Sequence, residues 1–351
     1  RQGDCAGGRP ARHLLLQPEI DVAVMELGRG GLLRSGVPVD ACDVAAVLAV
    51  HGDHLGQEGI ETLDALAAIK AMPLKTARRR AVLNADDPRC LAMADALRPL
   101  PVCWITAREE RPSAMAGDDW LVALAGEGDA MRILRREPRP AELCVAARIP
   151  ACRDGALPAN AFNAAAAAAI GLALDVPEEA IRAGLYGFRG DFADNPGRYN
   201  LWRGPRGTVL LDRADSPADV RLLAEAVLRI PAAGGRTLVL TAPGNRRDAH
   251  IEAMGAAAAG AFDRAIAYSW NDRRGRADDE VPVLLRAGLV AGGMPDTRVE
   301  CRPDQAAALG QALAGLAAGS LLVIVCLDTG KALESLRARI GEAVGDGPGV
   351  S

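Results

Sequence analysis

Between residues 208 and 340, short apolar runs and amphipathic stretches alternate with a regularity that few folds accommodate. Strands are expected at 208–211, 237–241, 264–268, 297–301 and 321–326. Helices are expected at 217–229, 248–261, 280–289 and 304–317, with a last one from Lys331. A strand that always gives way to a helix of this length predicts a parallel, Rossmann-like sheet. A looser alternation runs from residue 19 to 100, with a helix over 62–70 that Thr62 is placed to cap. A strand follows at 102–106, then a Gly-, Pro- and charge-rich β excursion over 107–158. A buried helix at 160–174 contains six consecutive alanines, which permit close approach to a sheet. Asn195-Pro196-Gly197 interrupts both periodicities and marks the expected boundary between a domain over 1–195 and one over 196–351.

Composition narrows the function classes. With 351 residues, half of them hydrophobic, the chain has material for two cores. Aromatics make up only 3%, so those cores are expected to be built from small aliphatic side chains. A net charge of −4 gives no electrostatic case for nucleic acid or an anionic membrane surface. No apolar stretch is long enough to span a bilayer, and no basic segment followed by an apolar one opens the chain. Eight scattered cysteines without a C-x-x-C pair read as reduced thiols in the cytoplasm. The chain starts at Arg1 without a methionine and is expected to be part of a longer polypeptide.

The chemistry concentrates in the first ninety residues. Glu26 ends the apolar run 20–26, read as a strand, and Gly28-Arg29-Gly30-Gly31 follows soon after. Asp53-His54 follows a second run, Lys70 ends the helix over 62–70, and Asn84-Ala85-Asp86-Asp87 follows a third strand-like stretch. Ligands of α/β sheets gather at the carboxyl ends of strands, so carboxylate, imidazole and lysine placed there suit a metal and phosphate site. Each residue alone has an ordinary reading: a solvated loop acid, a turn, a surface lysine. Their order and context carry the weight.

The run from Val24 to Gly36 resembles the E-T-A-R-G-G-I-L-R-x-G segment of the cyanophycin synthetase family. Asp53-His54-Leu55-Gly56, Gly59-Ile60-Glu61-Thr62-Leu63 and Lys70 are similar to its D-H-L-G-x-x-G-I-x-T-L-x-x-L-A-x-x-K, and Asn84 to Pro88 also matches. Farther on, Phe188 with Asn195-Pro196-Gly197-Arg198 and Asn200 resembles F-x-x-x-x-x-x-N-P-G-R-x-N. The segments 244–248 and 274–278 resemble G-D-R-R-D and R-G-R-A-D. The last of these argues against another Mur-type branch, such as a folate-polyglutamate-type ligase. The resemblance implies an α/β fold: part of a Mur-ligase central domain, a parallel or mixed sheet with helices on both faces, followed by a Rossmann-like C-terminal domain.

It also implies a function. The family uses ATP and Mg²⁺ to activate a carboxylate as an acyl phosphate, to which an amino acid, arginine, is added on an aspartate-rich polymer acceptor. Magnesium neutralises charge on the transferring phosphoryl group. Glu26, His54 and Lys70 fall on the family's metal-binding and catalytic positions, with Lys70 where Mur-type ligases carry a carbamylated lysine. Asn160 and Asn163 match the asparagines that contact adenine, and helix capping is their structural alternative. Arg198 and Asp212 match positions that reach ATP when the domains close. Asp272, Arg274 and Asp278 lie in the loop that selects the incoming amino acid, where a carboxylate suits a guanidinium; a solvated charged loop is the alternative. The family's habit implies a homo-oligomer.

Departures from the pattern matter as much. No G-x-x-x-x-G-K-[ST] loop occurs in these residues, although such a loop cradles nucleotide phosphates. Asp212-Arg213-Ala214-Asp215-Ser216-Pro217 stands where Mur-type ligases show D-Y-A-H-N-P, and Ala159 stands where a histidine is expected. Two readings follow: part of an ATP-dependent ligase that is inactive alone, or a degenerate module that keeps the fold for nucleotide binding or assembly.

Overall fold

The computed structural model describes residues 8–52, 55–56, 58–108 and 110–340. His54 and Asp53, two of the expected site residues, lie outside the described residues. The chain divides into two compact units, Arg1–Gly187 and Phe188–Ser351. This division precedes the Asn195-Pro196-Gly197 segment, which packs with the second unit. Phe192 lies 6.5 Å from Trp202, and a Cβ at Gly197 would lie 2.3 Å from the Thr329 side chain.

The first unit opens with helices α1 (Gly8–Leu15) and α2 (Arg29–Ser35). Its six-stranded sheet runs in sequence order: β1 (Cys42–Val47), β2 (Ala77–Asn84), β3 (Val102–Thr106), β4 (Trp120–Ala125), β5 (Arg132–Glu137) and β6 (Ala141–Val145). β1 to β4 pair in parallel, and β5 and β6 are added antiparallel. The β excursion expected over 107–158 therefore extends this sheet. Helices α3 (Leu63–Lys70) and α4 (Pro88–Met93) join β1 to β2 and β2 to β3. Thr62 caps α3 as expected, its hydroxyl accepting from Ala65 N at 3.1 Å.

The alanine run decides how the opposite face is covered. α5 (Pro158–Ala173) buries Ala164, Ala165, Ala166, Ala168 and Ala169 against Val82, Ile105 and Val122 of the sheet. On the other face Leu66 of α3 and Cys90 and Met93 of α4 pack with Leu83 and Trp104. Side chains no larger than a methyl let α5 lie close to the strands, so dispersion contacts replace bulk. α6 (Glu178–Gly187) closes the unit.

One expected element is missing. Residues 20–26 form no strand, and Val22 and Val24 are 68% and 81% exposed. β1 is the edge of the sheet and pairs only with β2 among the described residues. An extended segment without a neighbour has no ladder to satisfy its N–H and C=O groups, whatever its side-chain pattern.

The second unit holds β7 (Asn200–Gly204), β8 (Gly207–Asp212), β9 (Arg236–Leu240), β10 (Arg264–Tyr268), β11 (Val299–Arg302) and β12 (Leu321–Val325). Their spatial order is β11-β10-β9-β12-β8-β7, parallel throughout except for β7. The alternation predicted the five parallel strands and missed the antiparallel edge. Helices α7 (Pro217–Leu228), α8 (Asp248–Ala258) and α9 (Glu280–Ala291) pack into one core. α10 (Gln305–Ala314) and α11 (Thr329–Ile340) cover the other face. β12 thus sits between β8 and β9 while its following helix lies on the opposite face from theirs. In α/β sheets such a switch in the face taken by the following helix marks the carboxyl ends of these strands as the place where ligands bind.

Candidate ligand sites in the two units

In the first unit, side chains converge on the chain just past β1. Asn84 Nδ2 donates to Leu48 O at 2.8 Å, Lys70 Nζ to Ala49 O at 3.1 Å, and Val50 N donates to Asp87 Oδ2 at 2.8 Å. Three consecutive backbone positions are thereby fixed immediately before Asp53-His54. Asp87 also caps α4, accepting from Arg89 N and Cys90 N, and Asp86 accepts from Thr106 Oγ1 and Ala107 N at 2.7 Å each. The Asn84-Ala85-Asp86-Asp87 motif is therefore a staple across the ends of β1, β2 and β3, most of whose side-chain bonds go to backbone. Sequence reasoning placed the motif at the site but did not foresee this role.

The first two motifs meet through Glu58. Its carboxylate lies 3.1 Å from Arg29 and 3.0 Å from Arg34, joining the glycine-arginine segment to the turn after His54. Glu26 is exposed and makes no hydrogen bond or ion pair among the described residues. The described residues contain no group of three or more His, Cys, Asp or Glu side chains placed to hold a metal. As an ammonium donating to Ala49 O, Lys70 repels a cation. A divalent ion suits this donor set only with Lys70 carbamylated, because hard cations take oxygen ligands.

Asn160 lies in the first turn of α5, and it does not act as the cap. Leu157 holds the cap position, and Asn160 Nδ2 donates to Ala151 O at 2.7 Å, tying the helix start to the preceding turn. Asn163 is exposed one turn on. The i,i+3 spacing sets both amides on one side of the helix.

In the second unit, Asp212 ends β8 with its side chain buried. Its Oδ2 accepts from Tyr199 N at 2.9 Å. Burial raises its pKa to about 6, against the lowering effect of the Tyr199 N–H and of nearby Arg198. The rewritten motif is structurally consistent. Ser216 caps α7, accepting from Asp219 N at 3.2 Å, a role serine and asparagine fill about equally well. Asp215, where a histidine was expected, lies 3.5 Å from the buried guanidinium of Arg246.

The loops after β9 and β10 are locked by a residue whose part the sequence did not reveal. Arg276 Nε donates to Gly244 O at 2.7 Å, and its Nη2 to Arg246 O at 2.6 Å and Asp248 Oδ1 at 2.7 Å. Gly244 permits the contact, since a Cβ there would lie 2.1 Å from Arg273 O. Within the loop, Asp272 pairs with Arg274 at 2.6 Å and Asp278 with Arg273 at 3.0 Å. Both acids expected to meet a guanidinium thus already hold one. These exposed pairs are weak, of order 0–1 kcal/mol, and exchange readily.

The seven described cysteines are all free, and burial pushes Cys90, Cys103, Cys152 and Cys326 up to about 12, which makes them poor nucleophiles. No helix among the described residues is long and apolar enough to cross a membrane.

No protein-family model matches the chain. Cyanophycin synthetase from Synechocystis sp. is 32% identical over 351 residues, covering 96% of this chain and 38% of that protein. The chain is a relative of cyanophycin synthetases. The Nostoc sp. protein of that name is 33% identical over 343 residues, covering 96% of this chain and 37% of its own length. The family resemblance read from the motifs therefore holds, and the chain spans under two-fifths of these relatives. Among solved structures, MurF from Acinetobacter baumannii superposes with a TM-score of 0.66 at 19% identity, over 97% of this chain and 70% of that one. A bifunctional folylpolyglutamate synthase/dihydrofolate synthase with Mn, AMPPNP and L-glutamate bound gives 0.64 at 21%, over 93% and 70%. At such identities the likeness establishes the fold, that of Mur ligases and folylpolyglutamate synthases.

Proposed function

We propose that these residues are the Mur-ligase-like part of an ATP-dependent ligase of the cyanophycin synthetase type. The observation that carries the reading is the similarity to those synthetases over 96% of the chain. In this reading ATP phosphorylates a carboxylate, the α-amine of arginine attacks the acyl phosphate, and phosphate leaves as the amide forms. The acceptor is an aspartate-rich polymer. Glu26, His54 and carbamylated Lys70 would hold Mg²⁺, which supplies charge neutralisation to the phosphoryl group.

This chain's residues divide the remaining tasks. Asn160 and Asn163 are proposed to face the adenine. Arg198 is proposed to carry positive charge to the phosphates, and Asp272, Arg274 and Asp278 to meet the incoming amino acid. The Asp272–Arg274 and Asp278–Arg273 pairs would then open so that a substrate guanidinium exchanges for an internal one. Because the 351 residues contain no G-x-x-x-x-G-K-[ST] loop, they are proposed to be inactive alone and to act with a phosphate loop borne elsewhere on a longer polypeptide. Cytoplasmic location and a homo-oligomer belong to the same proposal.

The substitution at Asp215 favours a second reading. An ion pair with Arg246 occupies the place where a histidine was expected, which suits a module that keeps the fold without the chemistry. One experiment separates the two. The polypeptide bearing these residues and a phosphate loop is given ATP, Mg²⁺, arginine and an aspartate-rich acceptor. The ligase reading expects ADP release that requires arginine and is lost in Lys70→Ala. Absence of arginine-dependent ADP release overturns it in favour of the non-catalytic module.

A further inference from the structure

Arg198 is exposed, and its guanidinium makes no hydrogen bond or ion pair among the described residues. Its backbone is held far more tightly than an exposed loop requires. Gly197 and Tyr199, on either side, both adopt left-handed φ angles, +74° and +49°. For tyrosine that conformation is strained, and it persists only where surrounding contacts over-determine it.

Two buried side chains supply those contacts. Asn200 is wholly buried; its Oδ1 accepts from Gly197 N at 2.6 Å, and its Nδ2 donates to Asn195 O at 3.0 Å and to Gly190 O and Arg198 O at 3.3 Å. Asp212, from the neighbouring strand β8, takes the Tyr199 N–H. Thr329 blocks the remaining side, where any Cβ at Gly197 would collide with it. Both polar atoms of the Asn200 side chain are thus spent on the 190–198 loop, and the Asp212 carboxylate faces inward to the turn.

We propose that Asn200 and Asp212 are positioning residues that together latch the 197–199 turn and present the Arg198 guanidinium, preset, to a phosphate-bearing ligand. This rests on the ligase reading for the ligand, while the latch itself does not. Presetting a charged side chain removes the ordering cost that binding would otherwise meet.

Trypsin reads the latch directly, because cleavage after Arg198 requires the left-handed turn to open into an extended strand. In the 351-residue chain, Asn200→Ala and Asp212→Ala should each raise cleavage at Arg198–Tyr199 by roughly tenfold or more, the effect of at least one lost net hydrogen bond on local opening. Cleavage at Arg274, in an exposed loop of the same unit, should stay unchanged. An unchanged rate at Arg198, or a rise shared equally by Arg274, overturns the latch. Titration with ATP, on the polypeptide that also bears a phosphate loop, provides the readout that a merely structural role would not move. Arg198→Ala and Asn200→Ala should weaken binding, and the double variant should be no weaker than Arg198→Ala alone. Additive losses overturn action through Arg198. If that longer polypeptide, unaltered, binds no ATP, the phosphate reading fails, and cleavage at Arg198 still decides the latch.

Discussion

Asp119 offers the sharpest test of how the first unit is held together. It is 3% exposed, and five donors face its carboxylate. Oδ1 accepts from Arg98 Nη1 and Val102 N, both at 2.8 Å. Oδ2 accepts from Arg98 Nη2 at 2.8 Å, Ala116 N at 2.9 Å and Trp104 Nε1 at 3.0 Å. Asp119→Asn keeps the shape but turns one acceptor into an NH₂ group. Whichever way the amide faces, it meets either the buried Val102 N–H or the buried Trp104 indole N–H, together with one arm of Arg98. A buried donor left unsatisfied costs about 1–3 kcal/mol, so the substitution should destabilise the unit by about 3 kcal/mol. Arg98→Met removes a partner whose side chain is 31% exposed, and screening by solvent should hold its cost near 1 kcal/mol.

The same site fixes an acid limb. Burial pushes the Asp119 carboxyl upward, but the hydrogen bonds from Arg98, Ala116, Val102 and Trp104 outweigh it and leave the pKa lowered from 3.8 to about 2. A depressed folded-state pKa contributes stability that is whole above the unfolded value and lost as pH falls through the folded one. The shift amounts to about 2 kcal/mol, present above roughly pH 4 and gone below about pH 2. Urea unfolding followed by hydrogen exchange of peptides covering 102–106 reports this unit alone. A loss under about 1 kcal/mol in Asp119→Asn, or an acid limb unchanged from the parent, would refute the reasoning.

Three further outcomes are expected. Gly288→Ala places a Cβ 1.9 Å from Glu252 O at the α8–α9 contact and should cost about 1–3 kcal/mol by forcing the helices apart. Gly184→Ala, in open space on α6, should stabilise by about 0.5–1 kcal/mol; thermal unfolding that reverses the two signs refutes the packing account. For Asp212, the raised folded-state pKa means that its favourable contribution is whole below pH 3.8 and is lost as pH rises through about 6. Arg198, Tyr199, Asp219 and Cys326 are the charged or titratable groups around it. Asp212→Asn should therefore flatten the stability profile of the second unit between those values, and a profile identical to the parent's would assign the slope elsewhere.

The sequence by itself determined the local elements. Period-two and period-3.6 patterns placed β8 to β12 and their helices, and the caps at Thr62 and Ser216 depend on residues within one turn of each other. It also carried the resemblance to cyanophycin synthetases, because motifs in order survive where no geometry is visible. The tertiary structure decided what depends on neighbours far along the chain. Residues 20–26 carry a strand pattern yet form no strand, since pairing needs a partner edge that side-chain periodicity cannot supply. β12 takes its place between β8 and β9 through nonlocal ladders. Asn84, Asp86 and Asp87 look like site residues in sequence, but their side chains also tie down Leu48, Val50, Thr106 and Ala107 of neighbouring segments. That the Asp212 carboxylate also holds Tyr199 N–H shows only in the fold. Arg276 shows its role only once the loops after β9 and β10 lie side by side. A side chain's type is written in the chain, but which polar groups remain uncommitted is settled only when folding brings distant donors and acceptors within hydrogen-bonding reach.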